Sequence, residues 1–271
     1  MIDLGLTGKR VLVAGAGHRP PRPGFGRVSS LLLADAGARI ACLDFDEARA
    51  KATAAEVTAA GGEAIALVAD LTDRDQVTNA IAEVVAAFGG LDVCVDIVGG
   101  ARWGRALDFT DDDWNWTMDT NLRQNFLLLQ AAGRQMVAQG GGGALVSVAS
   151  VDGLFSSKYH VAYGAAKAGV VSLAKTFAEE LGPYGIRVNA VAPGNVGPGN
   201  EGPGESEFGA DPATPLATPR TRDIANAILF FASELSARVT GLTMPVDGGA
   251  TTRALFAYDH LENLRSFSQQ G

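Results

Sequence analysis

From Lys9 to Gly249 the chain alternates short apolar runs with stretches of helical composition, and seven runs can be counted. They are KRVLVAG (9–15), ARIACLD (38–44), EAIALVAD (63–70), LDVCVDIVG (91–99), GALVSVAS (143–150), GIRVNAVAPG (185–194) and GLTMPVDGG (241–249). Helices are predicted between them at 25–37, 46–62, 73–88, about 111–139, 160–181 and 221–233. Runs that are apolar throughout belong to strands buried on both faces, and the helices supply the covering layers. The pattern predicts an α/β fold: a doubly wound, Rossmann-like sheet of seven parallel strands flanked by helices on both faces. One unbroken alternation makes residues 1–271 a single domain. Ligands of such a sheet gather at the carboxyl ends of its strands, so chemistry is sought there.

Composition narrows the partners. With 22 Lys and Arg against 30 Asp and Glu, the formal net charge is -8, and no basic stripe suggests nucleic acid. Small-molecule substrates are expected instead. The opening MIDLGLTGKR lacks an apolar stretch of signal-peptide length, and no run could span a bilayer. A soluble cytoplasmic protein with no membrane partner is expected. Cys42 and Cys94 stand in strand-like runs without CxxC spacing and read as small buried hydrophobes. His18, His160 and His260 show no metal-ligand spacing, so no metal is expected.

Two stretches break the rhythm. Residues 194–220 are rich in Gly and Pro and read as a substrate loop or lid. The tail, 250–271, carries apolar residues that could cover the site or meet another subunit.

The junction between the first strand and first helix reads GAGHRPPRPGFGR (15–27). Glycines here let the backbone approach a phosphate at the helix N-terminus. Pro20, Pro21 and Pro23 cannot donate an N–H. The reading is a phosphate loop with an insertion that bulges outward, leaving Gly15, Gly24, Phe25 and Gly26 to bind, with Arg27 at the helix start. Arg19 or Arg22 could add a charged contact from the bulge. Asp44, ending the second strand, is placed to accept hydrogen bonds from an adenosine ribose; a helix-capping role is the plainer alternative.

Tyr163 and Lys167, in YHVAYGAAKAG, lie four apart on one helix face, and Ser150 ends the preceding strand. A phenol has a pKa near 10, and lowering it by about three units takes roughly 4 kcal/mol of preferential phenolate stabilisation. A lysine ammonium one turn away and a positive nicotinamide ring could supply that, with the serine orienting a substrate oxygen. His160, three residues before Tyr163, could face the substrate or simply start the helix. Thr110 ahead of three aspartates reads as a helix N-cap, with Trp114 and Trp116 as packing residues.

Together these motifs resemble the short-chain dehydrogenase/reductase family along nearly the whole chain, from Lys9 to Gly249. The family's serine precedes its tyrosine by thirteen residues, the interval from Ser150 to Tyr163. Its fourth catalytic residue, an asparagine of the long middle helix, falls at Asn121 in WNWTMDTNLRQNFLLLQ, where it would hold a water that links the lysine to solvent. ADLTD resembles the segment whose aspartate, here Asp70, contacts adenine while the next residue, Leu71, packs nearby. RVNAVAPGNV resembles the turn that meets the nicotinamide, which brings in Pro193, Gly194 and Val196. The resemblance implies an oxidoreductase that interconverts a secondary alcohol and a ketone. Tyr163 would be the base, Lys167 would lower its pKa and bind the ribose, Ser150 would hold the oxygen and Asn121 would complete a proton relay. It also implies a homodimer or homotetramer. NAD is expected over NADP because Asp44 would repel a 2′-phosphate.

Three departures stand out. Gly15 and Gly24 enclose eight residues where the family has three, so five are inserted. That lengthening costs only about 0.9 kcal/mol of closure entropy. Where the family usually reads Asn-Asn-Ala-Gly, this chain has Asp96-Ile97-Val98-Gly99, and an ionised aspartate can only accept. Pro198 replaces the threonine expected four residues after Gly194. The departures keep open a dinucleotide-binding sensor with little turnover. Non-redox chemistry such as dehalogenation is a third possibility, against which Lys167 and Asp44 both count.

Overall fold

The computed structural model describes residues 3–18, 24–196 and 214–252. Residues 19–23 of the lengthened glycine loop, most of the 194–220 loop with Pro198, and the tail beyond 252 lie outside the described residues.

Seven strands form one parallel sheet: β1 (Arg10–Ala14), β2 (Arg39–Asp44), β3 (Glu63–Val68), β4 (Val93–Asp96), β5 (Gly143–Val148), β6 (Ile186–Pro193) and β7 (Thr243–Val246). Their order is β3-β2-β1-β4-β5-β6-β7. The predicted architecture is therefore the observed one. The helices are α1 (Phe25–Asp35), α2 (Glu47–Ala59), α3 (Arg74–Phe88), α4 (Asp111–Met118), α5 (Gln124–Gln139), α6 (Val161–Leu181) and α7 (Thr221–Ala232). None among the described residues is long and apolar enough to cross a membrane.

Continuous apolar strands have two faces to bury, and each builds its own core. Leu12 and Ala14 of β1 join Val84, Leu128, Leu145 and Val170 on one face. Val11 and Val13 join Leu33, Val146, Ile228 and Phe231 on the other. Cys42 and Cys94 are buried in these layers, and desolvation pushes the Cys42 thiol up to about 12. Both are packing residues, as expected.

The chain leaves β1 for β2 and β3 on one side and returns to β4 on the other, so β1 and β4 flank the crossover point. Ala14 is in register with Leu43 and Asp96, which brings the carboxyl ends of β1, β2 and β4 level. Three helices that follow strands start with side-chain caps: Asp46 accepts from Arg49 N, Asp73 from Asp75 N and Gln76 N, and Thr110 from Asp113 N. The first helix has no such cap, since its N-cap is Gly24. The helical region expected at about 111–139 is observed, with Asp119–Arg123 forming a π turn inside it, where Gln124 N donates to Asp119 O five residues back.

Candidate active site

The glycine loop closes over the end of β1. Gly15 takes a φ of +77°, and both Gly15 N and Ala16 N donate to Leu43 O at 2.9 Å. Gly26 has no room for a side chain, because a Cβ there would stand 1.9 Å from Gly15 O. The start of α1, with Gly24, Phe25 and Gly26, is thus pressed against the loop with its first N–H groups uncapped by any side chain. Such a cradle fits a pyrophosphate. Asp44 is buried at the end of β2, its Oδ2 accepting from Gly17 N at 3.0 Å and its Oδ1 from Asp46 N at 3.0 Å. The carboxylate therefore also ties the loop to the strand. Gly17 was missed in the sequence reading, although a glycine two residues beyond Gly15 was the available signal.

Four residues converge at the ends of β4 and β5. Ser150, following β5, accepts from Asp152 N at 3.1 Å through its Oγ. Tyr163 and Lys167 project from α6, with Lys167 Nζ 5.7 Å from the tyrosine ring centre and donating to Val148 O at 2.8 Å. Asn121, in the π turn, is fully buried. Its side chain accepts from Gly100 N and donates to Gly100 O and Thr117 O. Gly99 sits over this group: a Cβ there would meet Asn121 Oδ1 at 2.7 Å and Lys167 Nζ at 3.1 Å.

The electrostatics differ from expectation at the tyrosine. Burial pushes the Tyr163 phenol above its ordinary value, Asp152 adds to that, and only the Ser150 hydroxyl lowers it. Lys167 is itself enclosed; desolvation brings its ammonium down to about 8, opposed by the charge of Asp96.

Asp96 suits its surroundings as an acceptor. Its Oδ1 takes Val98 N at 3.1 Å, and its Oδ2 takes Gln124 Nε2 at 3.0 Å and Asn125 Nδ2 at 2.6 Å. Asn125 Nδ2 also donates to Ser147 Oγ at 2.9 Å, which links β4 to β5 through α5. The amides of Gln124 and Asn125 thus share Asp96 as their acceptor, and Asn125 ties the two strands together. Burial pushes this carboxyl up, while Asn125, Lys167, Val98 and Gln124 hold it back.

The outlying positions frame the crevice. Asp70 is exposed, its Oδ1 engaged by Thr72 N and Oγ1, and Leu71 is buried beside it. Pro193 ends β6, and Gly194 N donates to Val246 O at 3.0 Å, with Asp247 too close for any side chain at 194. Val196 packs against the second core. On the substrate side, His160 Nδ1 is hydrogen-bonded to Asp152 Oδ2, and its ring lies 3.9 Å from that of Trp103 and 5.4 Å from that of Tyr163. Trp103 and Asp152 carried no individual signal in the sequence. Trp116 is more than a packing residue: Gly100 abuts it, and the Arg102 guanidinium stacks 4.5 Å over its ring.

Comparison with known proteins fits this geometry. A family model described as enoyl-(acyl carrier protein) reductase matches residues 22–251. The chain is 37% identical over 253 residues to an L-rhamnose 1-dehydrogenase (NAD(P)(+)) of Azotobacter vinelandii, covering 90% of this chain and 97% of that one. It is 38% identical over 249 residues to a trans-4-hydroxycyclohexanecarboxylate dehydrogenase of Sinomonas cyclohexanicum, covering 90% and 93%. The crystal structure of a short-chain type dehydrogenase/reductase from Mycobacterium marinum superposes with a TM-score of 0.82 at 32% identity, covering 93% of this chain and 99% of the other.

Proposed function

The chain belongs to the short-chain dehydrogenase/reductase family, and from that premise we propose that it interconverts a cyclic secondary alcohol and its ketone using NAD, with Tyr163 as the acid–base group. It is an NAD(P)-dependent oxidoreductase of CH–OH groups. The observation that carries the finer reading is the convergence of Ser150 with Tyr163 and of the buried Lys167 with both the Tyr163 ring and Gly99, where a Cβ would crowd the lysine Nζ. A ring alcohol is favoured because two relatives are named for ring substrates.

Each residue has a distinct task. Tyr163 takes the hydroxyl proton during oxidation and returns it during reduction. Burial opposes its phenolate and the Ser150 hydroxyl favours it; the ammonium of Lys167, 5.7 Å from the ring centre, and the positive ring of the bound cofactor would supply the rest. Ser150 also holds the substrate oxygen. Lys167 spends one of its three donors on Val148 O and has the others for ribose hydroxyls. Asn121 fixes the Gly100 backbone that walls the site. When bound, the dinucleotide supplies the carbon that accepts or gives the hydride and, oxidised, a positive ring beside the phenol. Gly15, Gly24, Phe25 and Gly26 would hold its pyrophosphate, Asp44 its ribose and Asp70 its adenine.

Tyr163→Phe tests the mechanism. Removing a general acid–base group should cost about 10²–10⁴ in kcat, with NADH binding within about twofold of wild type. Wild-type rates in this variant on a turned-over alcohol would overturn the assignment.

Preference for NAD follows from Asp44. A 2′-phosphate about 4 Å away would meet a repulsion of roughly 4 kcal/mol per unit charge at an effective dielectric near 20. Titrating both cofactors into wild type and Asp44→Ala checks this, and tighter NADP binding by the wild type would refute it. The same reading includes a homo-oligomer, formed through the apolar groove of Leu122, Phe126 and Leu173. Light scattering on the purified protein tests that part.

A further inference from the structure

We infer that Asp152 and His160 form a recognition dyad that accepts a hydrogen bond from a second hydroxyl of the substrate, so that the enzyme prefers diols and polyols over simple alcohols. The inference rests on Tyr163 marking the hydroxyl that reacts.

Both oxygens of the Asp152 carboxylate are engaged, Oδ1 by Ser157 Oγ and Oδ2 by His160 Nδ1. A carboxylate only accepts, so Nδ1 carries the ring proton, and in the neutral imidazole Nε2 presents a lone pair. That nitrogen is shielded from solvent and has no hydrogen-bond partner among the described residues. Buried polar atoms are nearly always paired, and this one, on a ring 5.4 Å from that of Tyr163, lacks the donor it would take.

The surroundings hold the ring in place for this role. His160 lies edge-on to Tyr163, with ring centres 5.4 Å apart. The backbone before it is strained: Tyr159 takes a φ of 69°, rare for a residue other than glycine and retained where neighbours over-determine it. Those neighbours include Gly104, whose N–H donates to Tyr159 O at 3.1 Å and which bridges to His160. Asp152 N–H in turn donates to the Oγ of Ser150, so the dyad and the catalytic serine share one short loop. Trp103, 70% exposed and 3.9 Å from the imidazole by ring centres, offers an apolar face against which a ring substrate can lie. A second hydroxyl on a ring whose first hydroxyl sits at Tyr163 would then find Nε2.

The probes are a vicinal cyclohexanediol and cyclohexanol, titrated by calorimetry into the enzyme–NADH complex and compared again in kcat/KM with NAD. Wild type should bind the diol at least about tenfold more tightly than the mono-alcohol. His160→Phe keeps a ring but no acceptor; it should lose about tenfold or more on the diol and less than twofold on cyclohexanol. His160→Gln, which retains an acceptor, should recover part of the loss. Asp152→Asn keeps the imidazole but frees its tautomer, and should also erase the preference. An unchanged melting temperature and unchanged NADH binding show that the variants are folded. Equal diol affinity in wild type and His160→Phe, or no diol preference in wild type, overturns the dyad. Intact diol preference without turnover of either alcohol would instead strike the oxidoreductase reading and leave the dyad standing.

Discussion

Asn121 exchanges two hydrogen bonds with a single residue, Gly100, accepting from its N–H at 3.2 Å and donating to its carbonyl at 2.7 Å. The side chain thereby imitates a strand neighbour for the loop that follows β4. A π turn holds Asn121 in place, and such turns occur mostly as single insertions at functional sites. Asn121→Leu removes both bonds and leaves Gly100 without these partners. We expect a stability loss of about 1–3 kcal/mol and a fall in kcat of tenfold or more, read by denaturant melts and steady-state kinetics. Asn121→Asp keeps the acceptor alone and should recover only part of the stability. Unchanged melting in both variants would mean that the loop is held by other contacts.

The legible and illegible parts of this molecule divide along a physical line. Seven buried strands announce themselves because a parallel sheet makes each strand apolar on both faces, and Val11 to Ala14 needs no partner to be recognised. The Ser150, Tyr163 and Lys167 set stood out because its spacing resembles that of the short-chain dehydrogenase/reductase family; a tyrosine and a lysine one helical turn apart would not have marked a site alone. The π turn was not: WTMDTNLRQNF holds no glycine or proline to mark it, and it depends on what Asn121 finds across the site. Nor could the sequence reveal the effect of Asp96. Its acceptors are matched by amides from Gln124 and Asn125, which lie 28 and 29 residues further on and arrive only when α5 packs on the sheet.

The enclosed Lys167 gives a pH dependence of stability. Desolvation lowers its pKa from the ordinary 10.5 to about 8. Between those values the unfolded chain holds the additional proton, so this residue makes stability rise with pH across that window. Below about 8 the folded protein carries the full cost of the buried ammonium. Lys167→Met should therefore exceed wild type in stability most at neutral pH, with the gap shrinking as pH approaches 10. Asp96→Asn removes the opposing negative charge and should depress Lys167 further, extending the window to lower pH while its upper edge stays at the ordinary lysine value. It also turns an amide toward the donors of Gln124 and Asn125, for an added loss of about 1–3 kcal/mol. Melts of the three proteins from pH 6 to 10 check the signs, and parallel curves for wild type and Lys167→Met would contradict this account.

The phosphate cradle is tested most sharply at Gly26. A Cβ there would stand 1.9 Å from Gly15 O and 2.7 Å from Ala16 Cα, all backbone, so no side chain can move aside. Gly26→Val must push α1 away from the loop, separating the helix start from the glycine turn. NAD affinity should fall by about a hundredfold or more, with a stability loss of about 1–3 kcal/mol from overpacking. Gly182→Ala, where a Cβ meets nothing within 4 Å, is the matched control and should change neither. Deleting residues 18–22 takes out most of the insertion while sparing Gly24 and Gly26. Because loop closure changes by only about 0.9 kcal/mol over this range of lengths, the deletion should leave the fold intact and weaken NAD only modestly. Calorimetry separates the cases: unchanged NAD affinity in Gly26→Val would remove the cradle from the proposal, whereas loss of binding in the deletion alone would move the phosphate contacts into the insertion.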